Sequence, residues 1–160
     1  MKEAIFAGGC FWGVEYYMRR AEGVLSVESG FTAGTVENPT YQQVKTGTTG
    51  HAEAVKIVYD PTKTDYETLL KLFMEIHDPT QLNRQGIDKG TQYRSEVYYA
   101  DENEKQTAEK IITILKGLGY DVQTKIVPRS PFYSAEGYHQ RYYDNIGEEP
   151  TCHKYQKRFL

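Results

Sequence analysis

The segment Glu3-Ala4-Ile5-Phe6-Ala7 runs directly into Gly8-Gly9, and Phe11 to Met18 follows as an apolar and aromatic stretch. A short apolar segment of the first kind reads as a strand, and the second suits a buried helix. Two adjacent glycines permit a tight turn and a close approach of another group to the backbone. The chain is therefore committed at its start to a strand that breaks sharply into a helix. Cys10 stands at the junction, and Trp12, the sole tryptophan, follows two residues on. A cysteine at a helix N-terminus faces unpaired N–H groups and the positive end of the dipole. Such surroundings lower a thiol from about 8.5 to about 3.5–7.5 and make it a nucleophile at neutral pH. A lone cysteine is otherwise a small core filler, but a filler needs neither a glycine turn nor an indole wall.

The rest of the chain interleaves strands and helices. Val24 to Phe31 reads as a second strand, Tyr41 to Lys45 as a helical turn, and Ala52 to Tyr59 as a third strand closed by Asp60-Pro61. Thr64 and Glu67 have capping-box spacing ahead of Tyr66, Leu69, Leu70, Phe73, Met74 and His77 at helical intervals, and Asp78-Pro79 stops that helix. Glu96 to Ala100 is a fourth strand. Asp101 with Glu104 opens a helix through Ala108, Ile111, Ile112, Leu115 and Leu118, and Val122 to Val127 is a fifth strand. After Pro128 the chain reads as irregular, with one short helix between Ala135 and Tyr143. This order predicts an α+β domain, a mixed sheet with helices packed on it in two layers.

At 160 residues the chain is expected to form one domain, an α/β core over 1–127 followed by a C-terminal coil over 128–160. Nineteen basic and 22 acidic residues leave a net charge of -3, without the basic face that nucleic-acid binding needs. Met1-Lys2-Glu3-Ala4 lacks the apolar core of a signal peptide, and no run approaches membrane-span length. The expected address is the cytoplasm, with no membrane partner. Nothing suggests an obligate interface, so a monomer is expected. Cys10 and Cys152, the two cysteines, make neither a disulfide framework nor a metal site of CxxC spacing. In a reducing compartment a bond between them would be transient and catalytic. His51, His77, His139 and His153 are scattered and read as surface or capping residues rather than ligands; no metal is expected.

Three further places hold candidate chemistry. Glu53 shares a strand face with Val55, Ile57 and Tyr59 if that face is the inner one, and a carboxyl there stays protonated. A register shift of one residue would instead leave it in solvent. Gln81 to Arg94 is polar and long for a plain connection; it carries Asp88 and Tyr93 near Gly86 and Gly90, as a functional loop or an ordinary polar one. Tyr41 follows the Asn38-Pro39-Thr40 turn and is equally ambiguous alone. Cys152, in Glu149-Pro150-Thr151-Cys152-His153-Lys154, reads as an exposed or semi-exposed thiol on a mobile tail that swings to the domain with a second sulfur.

Taken together, these segments resemble one family. Gly9-Cys10-Phe11-Trp12-Gly13 is similar to the signature of the A-type peptide methionine sulfoxide reductases. Asn38-Pro39-Thr40-Tyr41, Thr49-Gly50-His51-Ala52-Glu53-Ala54-Val55 and Gly90-Thr91-Gln92-Tyr93-Arg94-Ser95 match it in order, as do Ala135-Glu136 and His139-Gln140. The resemblance spans essentially the whole chain. It implies a ferredoxin-like core with a long irregular C-terminal segment, and reduction of the S epimer of methionine sulfoxide, free or in proteins; one enzyme per epimer is the general division.

By position, the resemblance makes Cys10 the nucleophile, and Phe11 and Trp12 the apolar wall for the substrate's ε-methyl group. Glu53 becomes the neutral acid near the sulfoxide oxygen, helped by Tyr41 and Tyr93, with Asp88 on the polar side. Cys152 becomes the resolving thiol, without the Gly-rich tail and third cysteine of longer members. The Cys10–Cys152 disulfide would then pass directly to a dithiol reductant, thioredoxin by expectation, with no metal or organic cofactor. Two other readings remain open at this point: a cysteine hydrolase pairing Cys10 with a histidine, and a peptide-binding module walled by Phe11 and Trp12.

Overall fold

A computed structural model describes residues 1–159. The chain forms β1 (Lys2–Gly8), α1 (Phe11–Arg19), β2 (Val24–Thr32), α2 (Tyr41–Lys45), β3 (Ala52–Tyr59) and α3 (Tyr66–Ile76). A two-residue pair, β4 (Arg84–Gln85) and β5 (Asp88–Lys89), precedes β6 (Ser95–Tyr99), α4 (Glu102–Gly117), β7 (Lys125–Pro128), β8 (Phe132–Ser134) and α5 (Tyr142–Ile146). Single 3-10 turns occupy Thr91–Tyr93 and Gly137–His139.

Six strands form one sheet in the order β7-β6-β1-β3-β2-β8. All neighbours are antiparallel except β6 and β7, which are parallel. β3 thus lies between β1 and β2, which run the same way and are joined over α1. Alternation of side chains sends Phe6, Val55, Ile57, Phe31 and Val97 to one face, where Phe11, Val14 and Met18 of α1 meet Leu70 and Phe73 of α3 and Ile111 and Leu115 of α4. The other face carries a smaller cluster of Ile5, Ala7, Ala52, Ala54 and Tyr98. A mixed sheet whose helices share one face is the two-layer α+β arrangement expected.

Several local expectations need correction. Asp65, not Thr64, caps α3, accepting from the Thr68 N–H at 2.7 Å. Thr64 is already spent in the preceding turn, where its N–H donates to the Asp60 carbonyl at 3.1 Å, and Glu67 pairs with Lys110 and Lys71 instead. The fifth predicted strand begins three residues later, at Lys125, because Gln123 N–H first donates to the Pro79 carbonyl at 2.7 Å.

The segment after Pro128 is more ordered than its composition suggests. β8 adds to the edge of β2, pairing Gly30, Phe31 and Thr32 with Ser134, Tyr133 and Phe132. Buried Glu15 on α1 accepts from the Arg141 N–H with both oxygens, at 2.8 and 3.0 Å. Further on, Glu75 accepts from the Arg158 N–H at 3.0 Å, and the Arg158 Nε donates to the Met74 carbonyl at 2.9 Å. Cys152 lies between these two anchorages. The expectation of a free tail is therefore corrected: the segment crosses the domain as a strap tied on both sides of its cysteine.

Candidate active site

β1 ends at Gly8, Gly9 turns the chain at φ 89°, and Cys10 takes the N-cap position of α1. The left-handed conformation at residue 9 is one that glycine adopts without strain. Beside this turn opens a cavity of about 440 Å³. Cys10, Trp12, Tyr41 and Glu53 line it from α1, α2 and β3; Asp88, Tyr93 and Cys152 line it from β5, the Thr91–Tyr93 turn and the strap. Residues scattered from position 10 to position 152 thus share one space.

Phe11 alone of the predicted site residues is set back. Its ring is buried and packs against Phe31, Tyr41 and His139 rather than among the lining residues. Trp12 supplies the apolar wall itself: its ring stacks on Tyr142 at 3.8 Å, and its indole N–H donates to His139 Nδ1 at 3.1 Å.

Glu53 lies on the inner face of β3 and is 1% exposed. Its Oε1 accepts the Phe11 N–H at 3.1 Å, while Oε2 is buried with no partner. Burial raises this carboxyl to about 8; the Phe11 N–H opposes the shift, and the Asp88 charge adds to it. Glu53 is therefore a neutral acid at pH 7 with a free oxygen in the cavity. Burial also pushes Tyr41 up to about 12 and raises Tyr93, so both hydroxyls keep their protons. The Asp88 carboxyl is raised by partial burial and by the charge of Cys152.

Both cysteines are free, and both line the same cavity. Here the expectation of an acidified Cys10 is corrected. Its hydrogen bond to Cys152, then burial and the Glu53 charge, raise Cys10 well above an ordinary thiol. The N–H that would have favoured its anion is taken, since Phe11 donates to Glu53, and the Trp12 N–H only weakly opposes the rise. Cys152 is correspondingly lowered to about 4 by the Cys10 thiol, with His153 and Tyr143 as further donors. The two sulfurs behave as one titrating pair.

All four histidines are buried, contrary to the surface reading: His51 and His77 at 2%, His139 at 1% and His153 at 5% exposure. Each meets a partner distant in sequence: Val36 O for His51, Ser95 Oγ for His77, the Trp12 indole N–H for His139 and Gly8 O for His153. Among the described residues no hydrogen bond joins a histidine to the Cys10 thiol, which removes the pairing that a cysteine hydrolase needs; no cluster of three or more His, Cys, Asp or Glu side chains could hold a metal ion. Sequence reasoning passed over Gln85, Ile87, Tyr143, Thr151 and His153. Only the adjacency of His153 to Cys152 signalled any of these.

The model of the family described as peptide methionine sulfoxide reductase matches residues 2–159 of this chain. The peptide methionine sulfoxide reductase MsrA of Nautilia profundicola is 49% identical over 152 residues, 95% of this chain and 88% of the relative. The reduced form of Mxr1 from Saccharomyces cerevisiae superposes with a TM-score of 0.87 at 32% identity, covering 99% of this chain and 91% of that one. The yeast protein in complex with Trx2 shares the fold, with a TM-score of 0.65 at 22% identity over 97% of this chain and 89% of that one. With two thiols and a neutral carboxylic acid in one cavity, and a chain matched nearly end to end, this protein belongs to the peptide methionine sulfoxide reductase family.

Proposed function

We propose that the protein reduces the S epimer of methionine sulfoxide, free or in oxidised proteins, as one catalytic domain acting as a monomer. Cys10 is the nucleophile, Glu53 the acid and Cys152 the resolving thiol. The observation that carries this assignment is Glu53, protonated at neutral pH, with one oxygen unpartnered in the cavity that holds both sulfurs.

A sulfoxide sulfur is electrophilic, but its oxygen is a poor leaving group until protonated. The ε-methyl group rests on Trp12, with Phe11 behind it, and the oxygen points to Glu53, Tyr41 and Tyr93. As the Cys10 sulfur attacks, Glu53 Oε2 gives its proton to the oxygen, and the proton shed by Cys10 restores the carboxyl. The hydroxyl then passes from the substrate sulfur to the Cys10 sulfur as the bond between the two sulfurs breaks; methionine leaves and Cys10 is left as a sulfenic acid, two electrons having passed from the cysteine to the substrate. Asp88 keeps the polar side of the cavity hydrated. Cys152 then closes a disulfide with Cys10 and water departs.

The electrons come from the two thiols, so the proposed cycle uses no metal or organic cofactor. A dithiol must reopen the disulfide, and thioredoxin is the proposed donor; Mxr1 has been solved with Trx2 bound. Such a cycle needs a reducing compartment, which agrees with an address in the cytoplasm. No helix among the described residues is long and apolar enough to cross a membrane.

The test is a single turnover without reductant, with the separate S and R epimers of an N-acetylated methionine sulfoxide amide. About one equivalent of methionine from the S epimer alone, with a Cys10–Cys152 bond found by mass spectrometry, is the expected result. No methionine from either epimer rejects the assignment.

A further inference from the structure

We propose that His153 takes up the proton of Cys152 and passes it to the departing hydroxide when the disulfide closes, an inference that rests on the roles given to Cys10 and Cys152 above. The His153 ring is fixed from its far side: Nε2 lies 2.6 Å from the Gly8 carbonyl oxygen. A carbonyl only accepts, so Nε2 carries a hydrogen, and the proton exchanged with Cys152 resides on Nδ1. Nδ1 lies 3.2 Å from Cys152 Sγ. The ring thus bridges thiol and carbonyl, buried, on a strap anchored on both sides.

Gly13 gives this pair its room. A Cβ at residue 13 would stand 2.2 Å from His153 Nδ1 and 2.8 Å from Cys152 Sγ. The last glycine of the Gly9-Cys10-Phe11-Trp12-Gly13 segment therefore serves the second sulfur rather than the first.

Chemistry requires a base at that moment. The thiolate, not the thiol, attacks. In the resting protein the Cys10 thiol is the strongest influence favouring the Cys152 anion. That S–H is lost once Cys10 is a sulfenic acid, whose hydroxyl is itself the group that leaves. Other groups facing the pair are Glu53 from β3, Asp88 from β5, Tyr17 from α1, Tyr143 from α5 and His77 at the end of α3. Glu53 is protonated and takes up no further proton, Asp88 opposes a second negative charge here, and neither phenol is acidic enough to supply a proton cheaply at neutral pH. His153 remains. In the step, Cys152 Sγ bonds to Cys10 Sγ and the Cys10 S–O bond breaks. Hydroxide leaves with the proton from Nδ1 as water, so one sulfur is oxidised and the other reduced by one electron each.

His153→Gln is the informative variant, because its amide nitrogen keeps the donor to Gly8 O while the basic Nδ1 is lost. The reduced enzyme is mixed with one equivalent of the S epimer, without reductant. Methionine, sulfenic acid trapped by a 1,3-dione probe, and disulfide are then followed in time. In the parent, disulfide is expected to keep pace with methionine. In the variant, disulfide should lag by about 10²-fold at pH 7, as for loss of a general base, with sulfenic acid accumulating. That lag should shorten as the pH rises and Cys152 ionises unaided. Disulfide that keeps pace with methionine in the variant, or a lag equal at every pH, overturns the proposal. Parent enzyme that forms no methionine would instead reject the assignment of Cys10 and leave this step without a substrate. Should the Gln variant lose its fold, His153→Asn, with an amide at the Nδ1 position, is read the same way.

Discussion

The Phe11 N–H donates to Glu53 Oε1 across 3.1 Å, tying the first turn of the nucleophile's helix to the strand that carries the acid. The same bond leaves Oε2 buried and unpartnered, so the carboxyl is oriented by one oxygen and reactive through the other. Glu53→Gln keeps a hydrogen-bond donor beside the sulfoxide oxygen and should retain much of the single-turnover rate. Glu53→Leu removes it and should lose about 10²–10³-fold, or roughly 2.7–4 kcal/mol of barrier. Stopped-flow rates for the two variants decide the matter; equal rates would take Glu53 out of the mechanism.

The pH dependence follows from the same carboxyl. With Glu53 raised to about 8 from an ordinary 4.5, the reacting form holds a proton at pH 7 and loses it above pH 8, so the single-turnover rate should fall there. Stability moves in the same direction. The folded state binds a proton that the unfolded state has released between pH 4.5 and 8, so stability declines as pH rises through that window. Glu53→Gln should flatten both profiles, and its urea midpoint should drop less than the parent's between pH 5 and pH 9. A falling limb that persists unchanged in Glu53→Gln would assign it to another group.

His77 produces the opposite slope on the acid side. Burial holds its imidazole down to about 3, with Nδ1 facing the Phe73 carbonyl at 2.7 Å and Nε2 facing Ser95 Oγ at 2.8 Å. The unfolded chain protonates this ring near pH 6.5 while the folded one does not. Stability is therefore lost as pH falls from about 6.5 towards 3. His77→Gln should lose less stability on acidification from pH 7 to pH 4.5, though about 1–3 kcal/mol at neutral pH from each buried partner left unmatched. Parallel acid losses in parent and variant would place the sensitive group elsewhere.

Much of this architecture is legible in the chain because its local signals agree. The alternation of Val55, Ile57 and Tyr59 located β3 but left the side of Glu53 open until the sheet buried it, and Asp101 with Glu104 fixed the start of α4. What escaped depended on long-range partners. The three residues of β8 carry no strand signal of their own and pair only because the β2 edge is open to them. The histidines are polar by type, yet each is buried by a partner that only the fold brings near. The protonation of Cys10 escapes for the same reason: a helix N-terminus is visible in sequence, but the claim of Glu53 on the Phe11 N–H is not.

Trp12 offers the substrate a wall already fixed by its stack on Tyr142 and its hydrogen bond to His139. Contact with a methyl group in an apolar pocket is worth about 1–3 kcal/mol. Trp12→Ala should raise KM about tenfold or more and change kcat less, while Trp12→Phe should recover part of the difference. An unchanged KM in Trp12→Ala would mean that the methyl group binds elsewhere.

Cys152→Ser separates the two halves of the cycle. The hydroxyl occupies the same place on the strap, so substrate still reaches Cys10 and the variant should yield about one methionine per enzyme without added reductant. It should then stop with thioredoxin as the sole reductant, because no second sulfur condenses with the sulfenic acid. The strap anchorages at Glu15 and Glu75 use no atom of Cys152, so its melting temperature should stay close to the parent's and the loss can be read as chemistry. Sustained turnover of Cys152→Ser with thioredoxin would show that the reductant attacks Cys10 directly, and the place of Cys152 in the cavity would have to be explained by packing alone.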